Sequence, residues 1–177
     1  MTDFTAEPSV HVQPASSRRL EFWIPLIVVL LDQLTKAAVR RTLAVHDSIA
    51  VIPGFLDVTH VRNTGAAFGL FDTMDFPYKT AVISLIAIAA LIGVVAYATG
   101  LQRQQLLARI GLALIIGGAG GNLIDRIAVG SVVDFVDVYW RDYHFWAFNV
   151  ADSAITVGVA AMILDMIGVT KHASKTV

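Results

Sequence analysis

Residues 81–98 read AVISLIAIAALIGVVAYA, eighteen in a row without a charge. Inside hydrocarbon no water satisfies backbone N–H and C=O groups, so a segment of this kind crosses a bilayer as a helix that bonds all of them internally. At about 1.5 Å of rise per residue, eighteen residues nearly match the thickness of the apolar layer. Three further stretches can be fitted to the same constraint, giving spans at approximately 22–39, 80–98, 106–126 and 147–168. Composition agrees: 56% of the chain is hydrophobic and 15% charged, against about 25% charged in soluble domains. The expected fold is an all-α polytopic membrane protein of four transmembrane helices.

Between the first and second spans the pattern changes. Pro53, Gly54, Gly65, Gly69 and Pro77 punctuate short β-branched runs such as SIAVI and FLDVTHV, which predicts a small β-rich extramembrane cap over residues 40–79. Residues 1–19, polar and rich in Pro, Ser and Ala, are expected to be a disordered tail. Residues 20–171 form one membrane-embedded domain, and 172–177 a second short tail. Four spans place both termini on one side. Six lysines and arginines on the tail side against seven on the other leave the orientation open.

Several classes of function are excluded early. A net charge of −1 without a basic, aromatic-interleaved patch argues against nucleic acid as a partner. Cysteine is absent, which removes thiolate nucleophiles and cysteine metal sites. The histidines at 11, 46, 60, 144 and 172 show no metal-ligand spacing, so neither a metal nor another cofactor is expected.

The chemistry is concentrated in residues 117–156, where five aspartates, two asparagines and two arginines lie between apolar spans. Ionisable groups beside hydrocarbon cost roughly 2.5–3.5 kcal/mol on insertion scales and so mark function. Asn122, Asp125 and Arg126 stand at i, i+3 and i+4 at the end of the third span, where they can satisfy one another. With Arg126 beside it, Asp125 reads as an ionised brace. Asn149 and Asp152 stand three apart in the first turn of the fourth span, where a helix N-terminus favours negative charge. Asp134 sits in SVVDFVDV between these helices. In the first span, Asp32 and Lys36 at i, i+4 are expected to turn inward, since lipid would not tolerate Asp32. Asn63, in the turn RNTG ahead of an apolar AAFGLF segment expected on the membrane surface, reads as a substrate-groove amide. Gly117 and Gly121 form a GxxxG pair that lets helices approach closely.

Two carboxylates sharing a site can hydrolyse a peptide without metal, thiol or activated serine, because only one of a close pair ionises. Asp134 and Asp152 are the candidate pair. Paired carboxylates in a membrane also carry protons or ions, and a transporter or a plain scaffold remains open on these residues alone.

Five motifs in order then resemble one family, the bacterial lipoprotein signal peptidases: DQLTK (32–36), RNTGAAFG (62–69), GNLIDR (121–126), VVDF (132–135) and FNVADSAI (148–155). The resemblance implies a membrane aspartic peptidase with Asp134 and Asp152 as its dyad and Asp32, Asn63, Asn122, Asp125, Arg126 and Asn149 as supporting polar groups. It implies diacylglyceryl-modified prolipoprotein substrates, cut just before the lipidated cysteine. It also implies an inner-membrane location with cytoplasmic termini and the site on the outer, periplasmic face. A monomer embedded in the lipid bilayer is the expected form.

Overall fold

The computed structural model describes residues 17–65, 76–102 and 105–173. Helix α1 covers Ser17–Thr42, followed by strands β1 (Ser48–Ile52) and β2 (Leu56–Asn63). Helices α2 (Lys79–Thr99) and α3 (Leu106–Val129) come next, then β3 (Val132–Trp140), β4 (Tyr143–His144) and α4 (Val150–Ala173). Among the described residues, four segments are long and apolar enough to cross a membrane: Glu21–Thr42, Lys79–Thr99, Leu106–Val129 and Val150–Gly168. The AAFGLF segment expected on the membrane surface lies outside the described residues.

Helix α3 is the central element, and its glycines explain how. A Cβ on Gly117 would lie 2.8 Å from Val28 Cβ and 2.9 Å from Pro25 Cα, so α1 rests directly on the α3 backbone. On another face, a Cβ on Gly111 would meet the Gly158 carbonyl at 2.6 Å, and one on Gly118 would meet Ile155 at 2.8 Å, so α4 approaches equally closely. Without a hydrophobic force between helices in lipid, this backbone proximity is what brings them together. Gly130, at φ 78°, ends α3 in the left-handed conformation, and its N–H donates to the Arg126 carbonyl.

The cap is a four-stranded antiparallel sheet in the order β1-β2-β3-β4. Residues 40–79 supply only its first two strands. The other two come from the α3–α4 connection, which carries Asp134 into the sheet opposite Val61. Val133 and Phe135 pack with Val39 and Leu43, seating the sheet on the end of α1. The fourth helix begins three residues later than hydropathy suggests. Phe148 bridges to β3 instead, exchanging backbone hydrogen bonds with Val136 at 3.1 and 2.8 Å.

Candidate active site

The polar groups reach the site from α1, β2, α3, β3 and the start of α4, and each is fixed locally. Asn149 immediately precedes α4 because the chain has just left its bridge to β3. Its side-chain Oδ1 accepts from the Asp152 N–H (3.0 Å), and Asp152 Oδ2 accepts from the Asn149 N–H (3.2 Å). This reciprocal pair is a capping box, which satisfies two otherwise orphaned helix donors. From α1, Asp32 Oδ1 accepts a third such donor, the Ala151 N–H, at 3.1 Å. Two carboxylates thus meet the positive end of α4.

Asn63 and Asp134 lie on one face of the sheet. Val61 opposes Asp134 and Asn63 opposes Val132, so Asn63 is the diagonal neighbour of Asp134, within reach of a polar side chain. Its Nδ2 donates to Asp134 Oδ2 at 3.0 Å, while its Oδ1 accepts from the Gly65 N–H at 2.9 Å. The second Asp134 oxygen accepts from Asn149 Nδ2 at 2.7 Å. Asp152 Oδ1 accepts from Asn122 Nδ2 at 2.8 Å.

Behind this pair lies a buried ionic cluster. Lys36 and Asp32 are both 0% exposed and 2.8 Å apart, as their spacing on the helix suggests. Lys36 Nζ also reaches Asp125 Oδ2 at 3.1 Å and donates to Asn122 Oδ1 at 2.8 Å. Asp125 is held differently from the sequence-based expectation. Its cationic partners are Lys36 and Arg40, the latter at 3.4 Å, and Gln33 Nε2 and the Val133 N–H donate to it as well. Arg126 donates instead to the Gly65 carbonyl of the RNTG turn at 2.8 Å. Asp125 points instead toward α1, where Lys36 is buried.

All nine sequence-derived residues therefore belong to one connected region. Gln33 and Arg40 were not among them. Arg40 follows Asp32 and Lys36 at the same four-residue step, which is the signal that points to it. Gln33 bonds Asp32, Asp125 and the Gly121 carbonyl at 3.1–3.3 Å, and only its neighbours in DQLTK single it out.

Electrostatically the four aspartates divide in two. Asp32 and Asp125 have cationic partners. Among the described residues, Asp134 and Asp152 form no salt bridge and are bonded by amides alone. Burial pushes the Asp134 carboxyl up to about 7, with the charge of Asp152 adding to the push. The amides of Asn63 and Asn149 and the Lys36 charge pull the other way. A carboxyl poised near neutrality beside a second one can exchange protons with a bound substrate and water.

The family model described as Signal peptidase (SPase) II matches residues 24–168. A lipoprotein signal peptidase of Geobacter metallireducens is 46% identical over 154 residues, covering 86% of this chain and 93% of that protein. Its counterpart in Geobacter sulfurreducens is 50% identical over 140 residues, covering 78% and 86%. A solved bacterial membrane enzyme superposes with a TM-score of 0.75 at 36% identity, covering 89% of this chain and 91% of that one. With a match spanning nearly the whole membrane domain, the chain belongs to the signal peptidase II family and is, by that membership, an aspartic peptidase of the membrane.

Proposed function

We propose that this protein cuts diacylglyceryl-modified prolipoproteins immediately before the lipidated cysteine, using Asp134 and Asp152 to activate water. Removal of signal peptides from lipoproteins is the activity its family membership gives. The observation that carries the finer reading is the division of the aspartates: Asp134 and Asp152 are free of salt bridges among the described residues, while Asp32 and Asp125 are held by Lys36. A carboxylate locked to a cation is a poor proton carrier. One held by neutral amides can change state, because they favour the carboxylate less strongly than a paired cation does.

Asp134, raised to about 7, enters as the protonated member. Asp152, at the N-terminus of α4 with two N–H donors, enters ionised. Water's oxygen bonds to the scissile carbonyl carbon as its proton passes to Asp152, and the proton of Asp134 goes to the carbonyl oxygen. On collapse the C–N bond breaks, Asp152 returns its proton to the leaving cysteine nitrogen, and Asp134 recovers its own. Lys36, Asp32 and Asp125 brace the pair, and Asn63, Asn122 and Asn149 orient it. With α4 starting at the dyad, a lipid-anchored substrate arrives laterally from the bilayer. The site faces the periplasm in this reading, and both termini face the cytoplasm.

The test is cleavage of a lipobox peptide by the purified protein in detergent, with and without diacylglycerol on the cysteine. Cleavage before the cysteine of the lipidated peptide, with a much lower kcat/KM for the bare one, is expected. Equal kcat/KM for both peptides would remove the argument for delivery by the bilayer, and no cleavage of either would overturn the reading.

A further inference from the structure

The orientation of one amide links the buried ionic cluster to the dyad. Asn122 has two faces: its Nδ2 donates to Asp152 Oδ1 at 2.8 Å, and its Oδ1 accepts from Lys36 Nζ at 2.8 Å and from Asn149 Nδ2 at 3.2 Å. Rotating the amide by half a turn would place an NH2 group against an ammonium and a second NH2, leaving an oxygen against a carboxylate. Three repulsive contacts would replace three hydrogen bonds. Asn149 alone holds the oxygen less firmly, because its Nδ2 is shared with Asp134 Oδ1 at 2.7 Å and the Val133 carbonyl at 3.3 Å.

Lys36 is 0% exposed, and its ammonium has three donors for three partners, Asp32, Asp125 and Asn122. Ion pairing with Asp32 accounts for one and Asp125 for another. The third goes to the Asn122 oxygen, so the bond that completes the buried ammonium also fixes which way that amide faces. We infer that Lys36 is a positioning residue for the cleavage reaction: by donating to Asn122 Oδ1 it locks that amide so that its N–H side faces Asp152. Lys36 touches neither the dyad nor the substrate; it acts through Asn122. The inference rests on the function proposed above.

The charges facing Asp152 are Lys36 and Asp32 on α1, Arg126 on α3 and Asp134 on β3. Lys36 and Asp32 are opposite in sign and 2.8 Å apart, so removing both together leaves the net charge of the cluster unchanged. That removal also takes the ammonium from Asp125, which keeps Arg40, so the hydrogen bond to Asn122 has to be read by comparing variants that share this loss. Two paired variants therefore isolate it. Asp32→Asn/Lys36→Met has no donor for Asn122, while Asp32→Asn/Lys36→Gln retains one.

On the lipidated lipobox peptide, the methionine pair is expected to lose roughly ten- to hundredfold in kcat, the range seen when a group that orients an active-site side chain is removed. KM should be unchanged. The glutamine pair should recover at least about tenfold of that loss, since a neutral donor satisfies the same oxygen. Wild-type kcat in the methionine pair, or equal loss in both pairs, would overturn the inference. If the methionine pair gives no folded protein, the glutamine pair decides alone: a kcat within about tenfold of wild type supports the lock, and a larger loss overturns it. Wild-type protein that leaves the lipidated peptide intact would instead overturn the functional reading, so the two failures are distinguishable.

Discussion

Asn149 donates its side-chain amide to Asp134 at 2.7 Å, and with its backbone N–H it holds Asp152. One residue thereby sets the distance between a carboxylate on a strand and another on a helix. Among the described residues neither carboxylate has a salt-bridge partner, the arrangement a shared proton would need. Asp134→Asn and Asp152→Asn should each lower kcat by at least about 10²–10⁴, the usual worth of general acid–base catalysis. The fold should persist, because an amide keeps the shape. Cleavage kinetics on the lipidated peptide, with melting in detergent as the control for folding, check this. Either variant retaining more than about a tenth of wild-type kcat would show that the dyad is assigned wrongly.

The carboxyl of Asp134 also sets a pH dependence of stability. Its value rises from 3.8 to about 7 on folding, first through burial and then through Asp152. Between those values the folded state binds more protons than the unfolded one, so this group's contribution is full below 3.8 and is lost as pH rises toward 7. Asp134→Asn cannot ionise and lacks this slope. The wild-type melting temperature minus that of the variant should therefore fall from about pH 4 to pH 7 and level off above it. A difference that stayed flat across the window, or rose, would contradict the origin assigned to the shift.

Much of this site can be read from spacing within single segments. The i, i+4 step placed Asp32 and Lys36 on one inward face, and the three-residue step from Asn149 to Asp152 at a helix start is the signature of a capping box. What spacing cannot carry is pairing across the fold. Arg126 adjoins Asp125 in sequence, yet the side-chain partners of Asp125 lie 85 to 92 residues away on α1, because α1 packs against the glycine face of α3. Likewise the two cap strands from residues 40–79 could be read locally. That β3 completes their sheet depends on Asn63 and Val132 meeting in register, which no single segment encodes.

Asp125 and Asp134 should separate stability from catalysis. Asp125 is 2% exposed and bonded to Lys36, Arg40, Gln33 and the Val133 N–H. Breaking a buried pair from one side costs about 3–5 kcal/mol because the other charge is left unmatched. Here Lys36 keeps Asp32, so the loss for Asp125→Asn should fall at or below the lower end of that range. A clear drop in melting temperature is expected, with kcat measured well below the melt reduced by less than about tenfold. Unchanged melting with abolished turnover would move Asp125 into the catalytic group.

Asn63→Ala removes a donor to Asp134 and an acceptor for the Gly65 N–H. Asp134 lies on β3 and Gly65 just beyond β2, so both partners belong to the cap and not to the packed helices. Expression and melting should stay near wild type, while cleavage slows by about tenfold or more, the upper end of what one ordinary hydrogen bond contributes. Wild-type turnover would return RNTG to a simple turn.

The adjacent glycines of α3 offer a contrast that depends only on where α1 lies. A Cβ on Gly121 would fall 2.6 Å from Asp32 Oδ2 and 3.1 Å from its Cγ. Asp32 has no room to yield, since its oxygens already serve Lys36, Gln33 and the Ala151 N–H. A Cβ on Gly120 would meet only Val29 Cγ2, at 3.7 Å, an ordinary contact. Overpacking in a tight core costs about 1–3 kcal/mol, whereas replacing a helical glycine by alanine without a clash gains up to about 1. Gly121→Ala should lower the melting temperature and, by displacing Asp32 from the N-terminus of α4, also lower kcat. Gly120→Ala should leave kcat at the wild-type level and hold or raise the melting temperature. Equal effects of the two substitutions would mean that α1 does not press Asp32 against Gly121, and the bracing of α4 by Asp32 would lose its basis.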